Sequence, residues 1–376
     1  MVETEKQFMN IYEKLADGQR ITTREAEDLL TGGDLLELAR LADRRRRELH
    51  PGNAATFQID RNINYTNICE CRCRFCAFYR EADAPDAYLL SVDQVLTSTE
   101  EAVRMGATQV MLQGGLHPDL GIEYFEEMFR SIKQRFDLCI HSLSPPEVQH
   151  LSRRSGLDLR ELLQRLRAAG LDSIPGGGAE ILSDRVRREI SPHKISTAQW
   201  LAVMETAHGL GMRTTATMMI GSVETIAERA AHLELVRELQ DRTGGFRAFI
   251  PWTFKAGNSE LEPEAEVSAF EYLRLLSVAR LYLDNIPNIQ GSWLTQGRDV
   301  GQVSLHFGAN DLGSIMLEEN VVRAAGTHNR ITEQEMVDLI RRAGRVPKQR
   351  NTNYQVVKEY PVPAADTGSL GMSSRI

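Results

Sequence analysis

The chain has 376 residues, 42% of them hydrophobic and 26% charged, enough to bury one large core or two smaller ones. A formal net charge of −8 argues against a general nucleic-acid binder, which is normally basic, and no apolar run reaches the length of a membrane span. No targeting segment is visible, so the expected setting is the cytoplasm, where oxidisable thiols stay reduced.

Residues 4–49 read as two or three helices, with Leu29, Leu30, Leu35, Leu36, Leu38 and Leu41 as the apolar stripe and Pro51-Gly52 as the stop. The run Arg44 to Arg47 falls within this pattern and reads as a solvated helix face. Strand candidates then follow at Thr56–Tyr65, Thr108–Leu112, Leu138–Ser142, Ser173–Ile174, Arg213–Met219, Phe246–Ile250, Asn288–Ser292 and, faintly, Leu312–Met316. Helical patterns lie between them at Val92–Met105, Ile122–Arg135, Leu159–Ala169, Thr197–Leu210, Thr225–Asp241, Glu264–Leu283 and Arg298–Phe307, and Thr332–Ala343 follows the last strand. Ser91 and Thr332 stand as N-caps, and Gly106, Gly170 and Gly211 suit left-handed C-caps.

This alternation predicts an α/β fold, a parallel sheet with crossover helices. Eight units close a (β/α)8 barrel over residues 53–345, behind an N-terminal helical extension of residues 1–52 and ahead of a C-terminal tail of residues 346–376. An open doubly wound sheet is the runner-up, because the fourth and eighth strands are faint. The stretch Pro361–Ile376, rich in Pro, Gly, Ser and Ala, is expected to be mobile or draped over the surface.

Four of the five cysteines fall in Cys69-Glu-Cys71-Arg-Cys73-Arg-Phe-Cys76. Thiolates this close on a loop suit one metal centre better than disulfides. Read as Cys69-x3-Cys73-x2-Cys76, they give three ligands to an iron–sulfur cube and leave one iron open. Cys71 permits a second triplet, Cys71-x-Cys73-x2-Cys76; the wider loop from Cys69 lets three sulfurs point inward more easily. Structural zinc would need four closed ligands, usually two separated pairs, and a disulfide framework would strand Cys139.

In a parallel barrel, chemistry collects at the C-terminal ends of the strands. Gln113-Gly114-Gly115 follows the second strand, and His141, Ser142 and Ser144 end the third. Pro175 to Gly178 and Glu180 end the fourth, Gly221 and Glu224 follow the fifth, and Pro251, Trp252 and Phe254 follow the sixth. Trp293 ends the seventh, and Asp311, Glu318 and Glu319 flank the eighth. Each has an ordinary reading as a turn, a cap or a core residue. The isolated His141, His306 and His328 have a structural role as their default. What points to a site is their convergence on one rim.

The cysteine spacing with Phe75 before Cys76 resembles the radical S-adenosylmethionine (SAM) signature. The strings Arg61-Asn-Ile-Asn-Tyr-Thr-Asn-Ile-Cys69, Cys76-Ala-Phe-Tyr-Arg80, Phe249-Ile-Pro-Trp-Thr-Phe254 and His306-Phe-Gly-Ala-Asn-Asp-Leu-Gly313 resemble, more narrowly, the futalosine-cyclising family of menaquinone biosynthesis. The resemblance runs from about residue 55 to 345. It implies a [4Fe–4S] cluster on Cys69, Cys73 and Cys76 whose open iron chelates SAM, with reduced flavodoxin or ferredoxin as electron donor. It implies a 5′-deoxyadenosyl radical that takes hydrogen from the ribose C4′ of dehypoxanthine futalosine. The carbon radical then adds to the carboxyphenyl ring, and loss of an electron and a proton leaves a spiro-cyclic product.

By the same resemblance Phe75 lies near the adenine of SAM, Gln113-Gly114-Gly115 meets its methionyl amino group, and Glu180 contacts SAM. Ser144 is a SAM or substrate contact. Trp252, Phe254 and Trp293 wall the radical, and Arg298 holds the substrate's benzoate carboxylate. His141 and Glu319 are candidates for the rearomatising base. Aminofutalosine synthase, which adds the SAM radical to an enol ether, and the deazaflavin-forming radical SAM enzymes are the related alternatives. Asn64-Tyr65-Thr66, Trp252-Thr253-Phe254 and Trp293-Leu-Thr-Gln296 lean towards the cyclase. From another class, a non-catalytic iron–sulfur protein would normally ligate all four irons. Cys71 is an uncommon addition to the signature.

Overall fold

The computed structural model describes residues 3–263, 265–326 and 329–361. Glu264, His328 and the expected tail beyond Pro361 lie outside the described residues.

The N-terminal extension forms three helices, Glu3–Ala16, Thr23–Gly32 and Leu35–Leu49. Thr22 and Asp34 cap the second and third through side-chain bonds to Glu25 N and Glu37 N. Leu29, Leu30, Leu38 and Leu41 bury their stripe, while Leu36 stays in solvent. The second helix packs against helix Ile226–Thr243 and the third against Ala269–Tyr282. Arg20 adds a clamp, with Asp241 at 2.6 Å and Asp284 at 2.9 Å. Within the arginine run, Arg44 and Arg47 face solvent as expected, but Arg46 turns inward and pairs with Asp43 at 2.8 Å. An aspartate one turn earlier supplies the counter-charge that lets it do so.

Beyond the extension the strands close a parallel ring. The expected first strand is split at Ile59 into β1 (Ala54–Gln58) and β2 (Asp60–Ile63). β2 pairs with β3 (Gln109–Leu112), and β3 with β4 (Cys139–Ser142). The fourth position is only a bridge from His141 to Ser173 plus a bond from Thr215 N to Ile174 O. Pro175 follows at once and cannot donate to a ladder, which explains why this strand is faint in sequence. β5 (Thr214–Ile220) pairs with β6 (Phe246–Thr253), and β6 with β7 (Asn288–Ile289). A bridge from Gln290 to Asp311 joins β8 (Asp311–Ser314), which pairs with β1. Bonds from Ile315 N to Gln58 O and Leu317 N to Asp60 O complete the (β/α)8 ring. Helices cover the outside. Pro145–Ser155 and Asp184–Ile190 are helices that the apolar pattern did not signal, and no described helix is long and apolar enough to cross a membrane.

The boundary expected at residue 346 is corrected by two further strands, β9 (Val346–Arg350) and β10 (Val356–Glu359). β9 pairs in parallel with β1, from Ala54 with Val346 to Phe57 with Gln349, and β10 pairs antiparallel on β9. Polar anchors hold this segment. Arg350 grips Asp311 at 2.5 Å, and Thr352 Oγ1 donates to Gln109 Oε1 at 2.7 Å. Gln290 Nε2 donates to the Tyr354 hydroxyl at 3.0 Å. Residues 350–354 therefore cross the N-terminal mouth of the ring and form its floor.

Behind β5 and β6, His232 is fully buried, accepts the Leu182 N–H at 3.0 Å and sits edge-on to Phe249. Burial pushes its pKa down to about 3. A histidine whose folded pKa lies below the unfolded value near 6.5 is protonated first in the unfolded chain. Its contribution is intact above that value and falls as pH drops towards 3, by about 1.4 kcal/mol per pH unit. Urea midpoints should thus fall between pH 6.5 and 4, and His232→Gln should flatten that slope; an equal slope in the variant assigns the acid lability elsewhere.

Candidate functional site

A cavity of about 420 Å³ runs inside the ring from the cysteine loop to the floor. Its upper end is built where β2 and β3 release the chain. After Ile63 the chain turns through Asn64 and Tyr65 into the cysteine loop, which is tied by Cys69 N to Arg80 O at 3.1 Å and Glu70 N to Leu116 O at 3.0 Å. Arg74 N reaches Ile190 O at 2.9 Å, and Arg72 takes a left-handed φ of 46° between Cys71 and Cys73.

Gly114 and Gly115 follow β3 and are required by close approach. A Cβ on Gly115 would stand 2.0 Å from Ile68 O and 2.8 Å from Cys69 Cβ. One on Gly114 would stand 2.7 Å from the Tyr65 ring. Glu147 fastens the same corner. It accepts from Ser144 N at 2.7 Å, Ser144 Oγ at 2.5 Å, Tyr65 Oη at 2.7 Å and Gly114 N at 3.1 Å. Burial pushes its carboxyl up, against these donors. Sequence reading missed Glu147; its only signal was the Ser144-Pro-Pro-Glu147 spacing of a capping box.

All five cysteines are free thiols, and Cys69, Cys71, Cys73 and Cys76 line the cavity. Leu116 N donates to Cys69 Sγ at 3.3 Å, and the sulfurs of Cys71 and Cys73 are hydrogen-bonded at 3.5 Å. The hydrogen bond between Cys71 and Cys73, with the nearby Lys194 charge, lowers Cys73 despite burial, and the same bond pushes Cys71 up. Burial and the Cys73 charge raise Cys76 to about 11. Lys194 and Glu180 form a buried ion pair, with the Lys194 ammonium 4.9 Å from the centre of the Phe75 ring. Burial alone would lower Lys194, but Cys73, Glu180 and Cys71 outweigh it and hold the ammonium charged. Glu180 sits at a left-handed φ of 41°. Among the described residues no three Cys, His, Asp or Glu side chains gather about one point as a single metal ion requires. Free thiols with an amide N–H on one sulfur and an ammonium beside another fit an anionic thiolate-bound iron–sulfur cluster.

Most residues expected at the rim line this cavity: Phe75, Gln113, Gly114, Gly115, Ser144 and Glu180 at the cysteine end, and Trp252, Trp293 and Glu319 on the walls. Trp293 is pinned by a bond from Nε1 to Ser314 O at 3.1 Å. Glu319 accepts from the N–H groups of Val321, Val322 and Arg323, and burial raises its carboxyl. His141 belongs to the floor, with Nδ1 2.8 Å from Ser173 Oγ, and burial followed by the Arg247 charge pushes its pKa well below the ordinary histidine value.

Two expectations are corrected. Phe254 is buried in the core outside the cavity, because β6 ends at Thr253 and its N–H turns to Ile220 O at 2.8 Å. Arg298 is a half-exposed side chain paired with Glu335 at 2.8 Å and with Arg330 O, away from the cavity. The cations that do line the cavity, besides Lys194, are Arg247 and Arg350, both on its floor and neither anticipated.

The chain matches the model of the Radical SAM superfamily over residues 63–236 and that of the CofH/MqnC C-terminal region over residues 243–363. It is 51% identical to the cyclic dehypoxanthine futalosine synthase of Streptomyces coelicolor over 360 residues, 95% of this chain and 90% of the relative. It is 43% identical to the 5-amino-6-(D-ribitylamino)uracil–L-tyrosine 4-hydroxyphenyl transferase of Methanopyrus kandleri over 317 residues, 82% of this chain and 86% of that relative. Among solved structures it resembles the FeFe-hydrogenase maturase HydG from Carboxydothermus hydrogenoformans, with a TM-score of 0.76, 18% identity and coverage of 93% of this chain and 81% of that one.

Proposed function

The chain belongs to the radical SAM superfamily, among the cyclic dehypoxanthine futalosine synthases, and from that premise we propose that it converts dehypoxanthine futalosine to its spiro-cyclic product in the futalosine route to menaquinone. It is a radical SAM enzyme that uses a [4Fe–4S] cluster and SAM. When bound, these supply a 5′-deoxyadenosyl radical able to take hydrogen from the ribose C4′ of the substrate. The observation that carries the reading is the placing of Cys69, Cys73, Cys76 and Gln113 to Gly115 at one end of a cavity walled by Trp252 and Trp293.

The chain's own residues position and exclude. Cys69, Cys73 and Cys76 hold the cluster, and Lys194 offsets its negative charge from beside Cys73. Gly114 and Gly115, kept in place by Glu147, bring backbone against the methionyl end of SAM. Phe75 would meet the adenine of SAM, and Ser144 and Glu180, which line the same end of the cavity, would contact SAM or the substrate. Trp252 and Trp293 offer flat apolar faces to the carboxyphenyl ring and keep water from the carbon radical. Glu319, its carboxyl raised by burial, faces the same cavity and is our choice for the proton lost on rearomatisation. The setting is cytoplasmic, with reduced flavodoxin or ferredoxin as electron donor and no nucleic acid involved.

The test is an anaerobic turnover with reconstituted cluster, reductant, SAM and dehypoxanthine futalosine, read by mass spectrometry. The expected result is 5′-deoxyadenosine together with a product lighter than the substrate by two hydrogens. If 5′-deoxyadenosine forms while the substrate is untouched, the substrate assignment is wrong. Tyrosine with the ribityl-substituted uracil named in the archaeal relative is then the mixture to try.

A further inference from the structure

The floor of the cavity holds a guanidinium that has no carboxylate partner among the described residues. Arg247 stands second on β6 and is 7% exposed. Its Nη2 donates to Ser173 Oγ and lies 3.4 Å from His141 Nδ1, and its Nη1 lies 3.4 Å from Asn353 Oδ1. Two of these three contacts are at the long limit of a hydrogen bond. Among the described residues no carboxylate is paired with it.

Most of the other buried arginines have a carboxylate beside them. Arg350 has Asp311 at 2.5 Å, Arg229 has Glu224 at 2.8 Å, and Arg46 and Arg345 share Asp43 at 2.8 and 2.7 Å. Arg187 and Arg280 have no paired carboxylate either, but Arg187 donates to the carbonyls of Gly178, Ala179 and Ile195, and Arg280 directs Nε, Nη1 and Nη2 at Gly308 O, Pro287 O and Asn310 Oδ1 at 2.8, 2.9 and 2.7 Å. An under-bonded, desolvated cation facing a cavity is a costly arrangement for folding alone. Burial has already pulled Arg247 down to about 10. A second donor stands beside it. The Tyr354 hydroxyl accepts from Gln290 Nε2 and, among the described residues, donates no bond of its own, while its ring lies 3.9 Å under the Arg350 guanidinium.

Depth matches as well. From Arg247 to Trp252 is five residues along β6, with a bulge at Arg247 that lets both line the cavity, so the span is roughly 13 to 16 Å at about 3.3 Å per residue. A carboxyphenyl group joined to a ribose spans roughly 10 Å of this on ordinary bond lengths. With its carboxylate on the floor, the ring would stand beneath the two tryptophans and the ribose would be turned towards the cysteine end.

We propose that Arg247, with the Tyr354 hydroxyl beside it, seats the carboxylate of the substrate's carboxyphenyl group at the closed end of the barrel. The inference rests on the proposed function. It makes Arg247 a substrate-binding and specificity residue, the part first expected of Arg298.

The experiment compares dehypoxanthine futalosine with its carboxamide analogue on the reconstituted wild type, Arg247→Gln and Arg247→Lys. Losing one side of a buried charged hydrogen-bonded pair costs a factor of about 30 or more. The wild type should lose at least that in kcat/KM on the carboxamide while still cleaving SAM without coupling. Arg247→Gln should lose as much on the acid yet treat acid and carboxamide alike within about threefold, and Arg247→Lys should recover part of the acid activity. Iron content and the signal of the reduced cluster should be unchanged in both variants. A wild type that converts acid and carboxamide equally overturns the inference whether or not the variants fold, and so does an Arg247→Gln that keeps the full preference for the acid. A wild type that cleaves SAM but leaves the acid itself untouched overturns the proposed function, and this inference with it.

Discussion

Cys69→Ala, Cys73→Ala and Cys76→Ala are each expected to give a protein without an intact cluster and without turnover, whereas Cys71→Ala is expected to keep both. The loss is on the order of 10⁶ or more, because the radical chemistry resides in the cofactor and enzymic accelerations themselves begin at about that size. The geometry separates the two candidate triplets. Cys69 Sγ already receives the Leu116 N–H, a bond that a cluster-bound thiolate retains, and its Cβ packs against Gly115. Cys71 is 3% exposed and its sulfur is engaged with that of Cys73. Cys71→Ala removes the sulfur hydrogen-bonded to Cys73 but leaves Lys194 in place, so cluster assembly should slow without failing. Iron and sulfide per chain, visible absorbance and the resonance of the reduced protein read the outcome. If Cys71→Ala is colourless and Cys69→Ala is brown, the ligands are Cys71, Cys73 and Cys76.

Gly115→Ala is expected to have the next largest effect, without replacing a ligand. The added Cβ would meet the Ile68 carbonyl oxygen at 2.0 Å and its carbon at 2.6 Å, and these are backbone atoms that no rotamer change can move aside. Overpacking commonly costs 1–3 kcal/mol, and a clash with main chain belongs at the top of that range, about 3 kcal/mol. Relief requires a shift of Ile68 and Cys69 by an ångström or so, and a displacement of that size at reacting groups costs about 10²-fold in rate. Gly114→Ala should be milder, since the obstacle is the Tyr65 ring at 2.7 Å, although that ring is held through its hydroxyl by Glu147. Melting temperature, iron content and kcat measured together decide the matter. A Gly115→Ala protein with wild-type iron and a kcat within twofold of the parent would mean that the cysteine loop tolerates a displacement the packing forbids.

The upper half of the site was legible because its signals are local. Three sulfurs at fixed spacing, an aromatic before the last and two glycines after a strand can be read within short windows. The ring was legible from alternation, and its faint fourth strand proved faint in the structure too, a single bridge cut short by Pro175. The floor was not legible. Val346 to Tyr354 reads V-P-K-Q-R-N-T-N-Y, with neither helical nor strand periodicity, and its place is set by partners far away in the chain, Asp311, Gln109 and Gln290. Arg247 was passed over because it begins a strand, whereas the search for chemistry looked at strand ends. Arg298 was chosen from the rim, where its actual partner, Glu335, on the helix Glu333–Arg342, could not be foreseen.

The pairing of β9 with β1 also bears on how the molecule is made. Ala54 and Val346 are roughly 290 residues apart, so this contact has about the highest contact order the chain offers. Closing a loop of that length costs about 3 kcal/mol more in chain entropy than closing one of ten residues. The floor is therefore expected to be the last part of the barrel to form. During synthesis, a nascent chain that has reached Ser314 already carries all five cysteines and all eight positions of the ring, yet its interior is still open at the bottom.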